Sequence, residues 1–487
     1  MIKQYLSIDL GASSGRLFVF ESNGNHFSQH ETYRFENKPV EINDRLSWDF
    51  HSIFAHILKG LEKTFEKYPD IRHVGIDSFA VDYGLLGKDG RLLRQPISYR
   101  DGKAKEVINE VEALFKDTSL YQRTGIQHLD FNTVYRLYYL KNHEPSLYEE
   151  VEKILLIPDL IAYYLTGQTR MELTNLSTTA LLDAYSRTID PIINRLGIDE
   201  TLFPDRIHPS EPYGQFKNDI KRRLKLNHNV DVVAVCTHDT ASAITAISND
   251  KKPLYISSGT WSLVGTLLDQ PKINEETDHE NFTNEIGYDS QIRFLKNTMG
   301  FWLFDHAFQE YQQRNNDISL SSFLNKLSTD VIDCGLIDID DDDFVFPDGY
   351  LKTVYDKLMS TGQEGFEDDR AILKTILISM AFKYRDVIQR LESLIKRNFK
   401  EIIVIGGGSK NNYLNQLIAD VTDKNVMTGP KEATALGNAL VLMQSDGMFE
   451  DLRIDFDWKN HFPPSLFQPE GKYVTEKKRA QLDRMKL

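Results

Sequence analysis

The chain has 487 residues, too many for one hydrophobic core, since single cores stop growing near ~250–300 residues, and it therefore predicts two large domains. Hydrophobic residues make up 41% and charged residues 26%, a balance that folds rather than staying disordered. A net charge of −15 excludes broad electrostatic binding to nucleic acid, so any phosphate site must be local.

The opening residues run straight into a strand-like apolar segment with no signal-peptide pattern, and no window is long and apolar enough to span a membrane, so a cytoplasmic chain is expected. Residues 5–10 and 17–21 alternate around Gly11, Ala12, Ser13, Ser14 and Gly15, which predicts a hairpin with a Gly/Ser turn. Residues 74–78 and 232–236 read as buried strands, and 132–140 and 158–165 as helices, which together predict an α/β class. Asn249, Asp250, Lys251, Lys252 and Pro253 form a polar turn and the expected domain boundary. A second hairpin follows, with residues 254–257 and 261–268 flanking Ser258, Gly259 and Thr260, and its likeness to the first predicts two related domains. An amphipathic helix over 371–399 leads into a strand over 401–405, then Gly406, Gly407 and Gly408 at the entrance of a helix from about 412 to 421. Cys236 and Cys334 lack the spacing of a zinc site or a disulfide framework and are expected to be buried.

Small residues at 11–15 let backbone N–H groups approach an anion, and Arg16 adds charge; alone, they also describe an ordinary turn. Three such glycine-containing loops in one chain point to nucleotide binding, while the absence of G-x-x-x-x-G-K-[ST] and G-x-G-x-x-G excludes the P-loop and dinucleotide scaffolds. Thr237, His238, Asp239 and Thr240 follow a strand end, where a carboxylate can accept the proton of an attacking hydroxyl; equally, Asp239 could cap the helix that follows. Asp77, Ser78, Asp82, Tyr83, Tyr99, Arg100 and Asp101 combine the groups a polyol needs, or are plain loop residues. The acidic run Asp338, Asp340, Asp341, Asp342 and Asp343 fails the EF-hand pattern at its sixth and twelfth positions and predicts a solvated loop.

Taken together, residues 9–16 (DLGASSGR), 75–82 (GIDSFAVD), 99–101 (YRD), 132–133 (NT), 237–243 (THDTASA), 257–263 (SSGTWSL), 296–300 (KNTMG), 406–409 (GGGS) and 429–438 (GPKEATALGN) resemble the FGGY carbohydrate kinases, over nearly the whole chain. Within that family the blocks are most similar to the branch acting on L-rhamnulose. The resemblance implies two actin-like (ribonuclease H-like) α/β domains, 1–245 and 246–487, with a cleft between them, and ATP-dependent phosphorylation of a ketose assisted by Mg2+. It implies nucleotide contacts from Ala12, Ser13, Ser14, Gly15, Arg16, Thr260, Gly406, Gly407 and Gly408, with Asp239 as base. It places His238, Thr240, Asn297, Ala80 and Asp82 by the sugar, and Asp9 near Mg2+ through water. Ala80 replaces a common glycine, which leaves L-fuculose and xylulose open as substrates, and Asp305 stands where a nucleotide-contacting amide occurs. A monomer or homodimer, with neither nucleic-acid nor membrane partners, is expected. The alternative from another class, a non-catalytic nucleotide-binding switch of the same superfold, would lack the sugar-facing base.

Overall fold

The computed structural model of the chain describes residues 2–23, 27–248, 252–315, 318–329, 332–344 and 347–471. Asn249, Asp250 and Lys251, the centre of the expected boundary turn, lie outside the described residues. Two compact units form. One comprises Met1–Lys252, Leu267–Phe294 and Glu432–His461; the other comprises Pro253–Thr266, Leu295–Lys431 and Phe462–Leu487.

The first unit is built on strands β1 (Lys3–Leu10), β2 (Ser14–Ser22), β3 (Phe27–Glu36), β4 (His73–Ser78), β5 (Pro212–Gln215) and β6 (Asp231–Val233). Their order in the sheet is β5-β6-β4-β1-β2-β3. β1 pairs antiparallel with β2 and parallel with β4, so it is central, and Tyr5, Leu6, Ile8 and Leu10 are buried. Helix α1 (Phe50–Lys67) starts at Asp49, whose carboxylate accepts from Ser52 N at 3.0 Å. It buries Ile53, Ile57, Leu61 and Phe65, a four-residue repeat that makes one apolar stripe. Helices at Thr133–His143 and Ile157–Thr166 stand where the periodicity predicts them.

The strand predicted over 232–236 pairs only through Val233. Beyond it the chain stays extended and buried but makes scattered bonds, such as Ser78 N donating to Thr237 O at 2.8 Å. Hydrophobicity marks the buried run, whereas the extent of the ladder depends on neighbouring strands, and β5 ends its pairing with Val233. Helix α2 (Asp239–Thr245) follows directly.

The second hairpin is β7 (Leu254–Ser258) and β8 (Trp261–Leu268), followed by β9 (Thr283–Ile286), β10 (Ile292–Met299), β11 (Glu401–Ile405), β12 (Asn425–Thr428) and β13 (Leu466–Phe467). Strand order β10-β8-β7-β11-β12-β13 repeats the first sheet's plan, with β9 beside β10. β7, like β1, is antiparallel to its hairpin mate and parallel to the next strand, and the last strand pairs antiparallel in both sheets. The related hairpins predicted from sequence are thus matched by related sheets.

Helices α3 (Phe301–Arg314), α4 (Asp369–Ile395) and α5 (Asn412–Thr422) belong to the second unit, and α6 (Ala433–Ser445) packs on α2, β1 and β4 of the first. The acidic run is more than a solvated loop: Asp340 accepts from Thr298 Oγ1 at 2.8 Å and Met299 N at 2.7 Å, and pairs with Lys383 at 2.7 Å. Cys236 and Cys334 are buried, as expected. Among the described residues no helix is long and apolar enough to cross a membrane.

Candidate active site

Parallel pairing sets Asp9 beside Asp77, and the first hairpin sets Asp9 opposite Arg16. Both acids lie near the C-terminal ends of their strands, the edge at which α/β sheets gather ligands. Arg16 forms ion pairs with Asp9 and with Glu432, the residue immediately before α6. Asn438, on the same helix, donates Nδ2–H to Asp77 Oδ2 at 2.6 Å, while Asp77 Oδ1 is buried without a hydrogen-bond partner among the described residues. Burial raises the Asp9 carboxyl above its ordinary value against the pull of Arg16, and burial with the charge of Asp9 raises Asp77 well above it.

The turn between β1 and β2 is tighter than its sequence suggests, because Ser14, Gly15 and Arg16 already belong to β2. Gly11 N donates to Ser14 O at 2.9 Å, and Asn37 binds the turn from outside, donating through Nδ2 to Gly11 O at 2.8 Å and through N to Ser13 O at 3.1 Å. The amides of Ala12 and Ser13 find no acceptor among the described residues, so two N–H groups stand ready for an anion.

Asp239 is the first residue of α2, and His238 holds the cap position. Asp239 Oδ1 accepts from Thr240 N at 2.6 Å and Thr240 Oγ1 at 3.1 Å, whereas Oδ2 accepts from none of the described residues. Support of the helix start therefore occupies one oxygen and leaves the other open. Burial, then the nearby charge of Asp9, push this carboxyl up to about 7 although Thr240 pulls the other way. His238 is buried, accepts at Nδ1 from Arg293 Nη2 at 2.9 Å, and has Nε2 at 3.4 Å from Asp239 Oδ1. Thr240 is buried beside it.

The expected polyol cluster is largely absorbed into structure. Asp82 is 1% exposed. It is paired with Arg136, and its Oδ2 accepts from Trp48 Nε1 at 2.5 Å and Tyr99 N at 3.2 Å. This carboxylate holds the loop together and is not free for a sugar. Asp101 accepts from Arg45 Nε at 2.9 Å and Leu46 N at 2.8 Å. Between Ala80 and Asp82, Val81 has φ 66°, a left-handed conformation costly for a β-branched residue. Thr133 Oγ1 at 2.8 Å and Arg136 Nη1 at 3.0 Å both donate to Val81 O and hold it there. Half-buried Ala80 rides on this strained turn, and the Ser78–His238 bridge joins the end of β4 to the segment entering α2.

In the second unit, Thr260 sits at the hairpin turn and the first amides of α3 close onto it: Phe301 N donates to Gly259 O at 2.9 Å and Trp302 N to Thr260 O at 3.3 Å. A Cβ on Gly300 would lie 2.5 Å from Gly259 O and 2.7 Å from Thr260 O, so only glycine fits. Asn297 is half-buried on β10, and Asp305 is exposed on α3. Gly406 has φ 77°, and a Cβ there would lie 2.8 Å from Ser258 O. Close packing on β7 thus accounts for this glycine. Gly407 and Gly408 lie in a short 3-10 turn (Gly407–Lys410), and Asn411, not a glycine, caps α5, so the expected glycine-lined helix entrance is set back by one turn.

Glu432, Asn438, Glu285, Arg293 and Arg136 were not among the candidates read from sequence. Glu432 and Asn438 do lie in the GPKEATALGN block, the one signal that could have found them.

The family model for the N-terminal domain of the FGGY family of carbohydrate kinases matches residues 4–246, and that for its C-terminal domain matches 254–445. A rhamnulokinase from Halalkalibacterium halodurans is 36% identical over 449 residues, covering 92% of this chain and 95% of the relative. A rhamnulokinase from Bacillus subtilis is 35% identical over 470 residues, covering 96% of this chain and 95% of the relative. Among solved structures, a ligand-bound xylulose kinase from Lactobacillus acidophilus aligns with a TM-score of 0.78 at 16% identity, over 99% of this chain and 96% of that one. Plasmodium falciparum glycerol kinase with ADP aligns with a TM-score of 0.73 at 15% identity, over 100% and 99%. Domain models covering most of the chain, full-length relatives and a shared two-sheet fold agree: the chain belongs to the FGGY family of carbohydrate kinases.

Proposed function

We propose that this carbohydrate kinase transfers the γ-phosphoryl group of ATP to O1 of L-rhamnulose, giving L-rhamnulose 1-phosphate and ADP in the cytoplasm. The observation that carries the reading is Asp239: a carboxyl raised to about 7, with one oxygen open, at the head of α2. A base poised near neutral pH is what proton removal from a weakly acidic alcohol requires. As O1 attacks phosphorus, its proton passes to Asp239, a P–O bond forms, and the bond to the ADP oxygen breaks. The free amides of Ala12 and Ser13 suit phosphate oxygens, as does Arg16. Thr260, Asp305 and Gly406–Gly408 are the further nucleotide contacts in this reading, and Ala80, His238, Thr240 and Asn297 the sugar contacts. The rhamnulokinases aligned over nearly the whole chain support the choice of sugar.

The residues present fit a hydrated divalent cation. Asp9 and Asp77 stand side by side with an orphaned Asp77 oxygen, yet no group of three or more His, Cys, Asp or Glu among the described residues is arranged to hold an ion directly. Asp9 would hold Mg2+ through water, and the ion would supply charge neutralisation at the phosphates. The division into domains 1–245 and 246–487 belongs to the same reading and is supported by the two family matches, while the compact units cross it, with Leu267–Phe294 and Glu432–His461 joining the first.

A panel of ketoses with product analysis tests the proposal. L-rhamnulose is expected to give the highest kcat/KM and a 1-phosphate; a preference for L-fuculose or xylulose would overturn the choice of sugar. Asp239→Asn should lower kcat at least a thousandfold while nucleotide affinity stays within a few-fold, as read by turnover and by calorimetric titration.

A further inference from the structure

We propose that Arg293, neutralised by Glu285, is a positioning residue that fixes His238 as a neutral imidazole carrying its proton on Nε2, so that the ring donates a hydrogen bond to the same sugar hydroxyl that Asp239 deprotonates. This inference rests on the sugar-kinase reading of Asp239.

The direction of the bond at Nδ1 follows from chemistry. A guanidinium has donors and no acceptor, so Arg293 Nη2, at 2.9 Å, can only donate to His238 Nδ1, which must then present a lone pair. The proton of the neutral ring is left on Nε2. Glu285 does not compete for it. Its Oε2 lies 3.5 Å from His238 Nδ1 but 2.8 Å from Arg293 Nη2, so it pairs with the guanidinium rather than with the ring. A second proton on the ring would set an N–H against the Arg293 N–H, and burial together with the Arg293 charge holds the imidazolium well below its ordinary pKa.

Nε2 lies 3.4 Å from Asp239 Oδ1, which already accepts two hydrogen bonds from Thr240. The Nε2–H is therefore better used by a third partner beside the carboxylate. A hydroxyl oxygen fits: it accepts from His238 through one lone pair while its own proton faces Asp239. Donation to one lone pair leaves the other directed toward phosphorus, which is an orienting role distinct from proton removal.

The buried pair is an unusual choice if its only task is to join β9 to β10. Arg293 is fully buried, and its Nη1 has no hydrogen-bond partner among the described residues. A buried ion pair of this kind is weak as a stabiliser of folds but well suited to fixing a neighbour's protonation. The charged groups facing the ring are Arg293 from β10, Glu285 from β9 and Asp239 from α2, while Ser78 from β4 contributes no titratable group.

The test is 15N–1H correlation of the histidine rings in the full-length protein, with the His238 signal identified by its loss in His238→Gln. In the unsubstituted protein the Nε2–H tautomer is expected unchanged from pH 6 to pH 8; an Nδ1–H tautomer, or protonation in that range, would overturn the proposal whether or not any ketose is phosphorylated. In Arg293→Gln, His238 should begin to titrate in that range. The sugar KM should then rise at least tenfold at pH 6.5 and recover to within about threefold at pH 8.5, with the KM for ATP within twofold throughout. A sugar KM that does not move with pH in a folded Arg293→Gln protein would also overturn it, and if that variant fails to fold, the tautomer of the unsubstituted protein decides alone.

Discussion

Asp239 carries a conflict between reactivity and stability. Its side chain is 30% exposed, yet burial and the charge of Asp9 lift the carboxyl from 3.8 to about 7. A folded-state value above the unfolded one means that the carboxyl favours folding at low pH and that this contribution fades as pH rises toward 7. Asp239→Asn should therefore raise the thermal midpoint, by little at pH 5 and more at pH 8, with a gain on the order of a few kcal/mol at most. Thermal melts of both proteins across that range check it, and an unchanged difference would show that the carboxyl is not raised. Catalysis has the opposite slope. In the unsubstituted enzyme, kcat/KM should rise with pH and be half-maximal near 7, because only the ionised form accepts the proton. A profile that is flat from pH 5.5 to 8 would remove Asp239 from that role.

At the scale of elements, the second hairpin and α3 act as one piece. Gly259 and Thr260 offer their carbonyls to the first amides of α3, and Gly300 lets the two backbones meet. Gly300→Ala forces backbone against backbone, so it should cost about 1–3 kcal/mol, measured by denaturant unfolding, and should weaken nucleotide binding more than sugar binding. Both hairpins are legible in the sequence because a Gly/Ser turn between alternating runs is a local signal. α4 is legible because an apolar stripe is periodic. The 3-10 turn after Gly406 is not, since its shape depends on packing against Ser258, 148 positions earlier in the chain. Asp82 and Asp101 read from sequence as free loop carboxylates, but their partners Arg136 and Arg45 lie 54 and 56 residues away and take them inward.

Over the whole molecule, the candidate site draws on residues that no local pattern joins. Arg16 meets Glu432 across 416 positions, and Asp77 meets Asn438 across 361. Family-like blocks locate such residues without stating their partners: Glu432 and Asn438 lie in such a block, but nothing local ties them to Arg16 and Asp77, and Arg293 lies outside every block. The first unit also needs chain from three separate stretches. A fragment ending at Lys252 lacks α6, and with it the helix that covers α2, β1 and β4. That fragment should keep much of its far-ultraviolet circular dichroism yet lose its near-ultraviolet signal and its cooperative melt. A sharp melt near that of the intact chain would contradict this.

The same interleaving sets an order of events on the ribosome. β1 is made among the first residues, but α6, which covers it, is made only at Ala433–Ser445. At ~5–20 residues per second this interval lasts tens of seconds, during which apolar surface on β1 and β4 waits for its cover. Nascent chains stalled before residue 433 should therefore be the ones that chaperones hold, and release should follow emergence of the helix that carries Asn438 to Asp77.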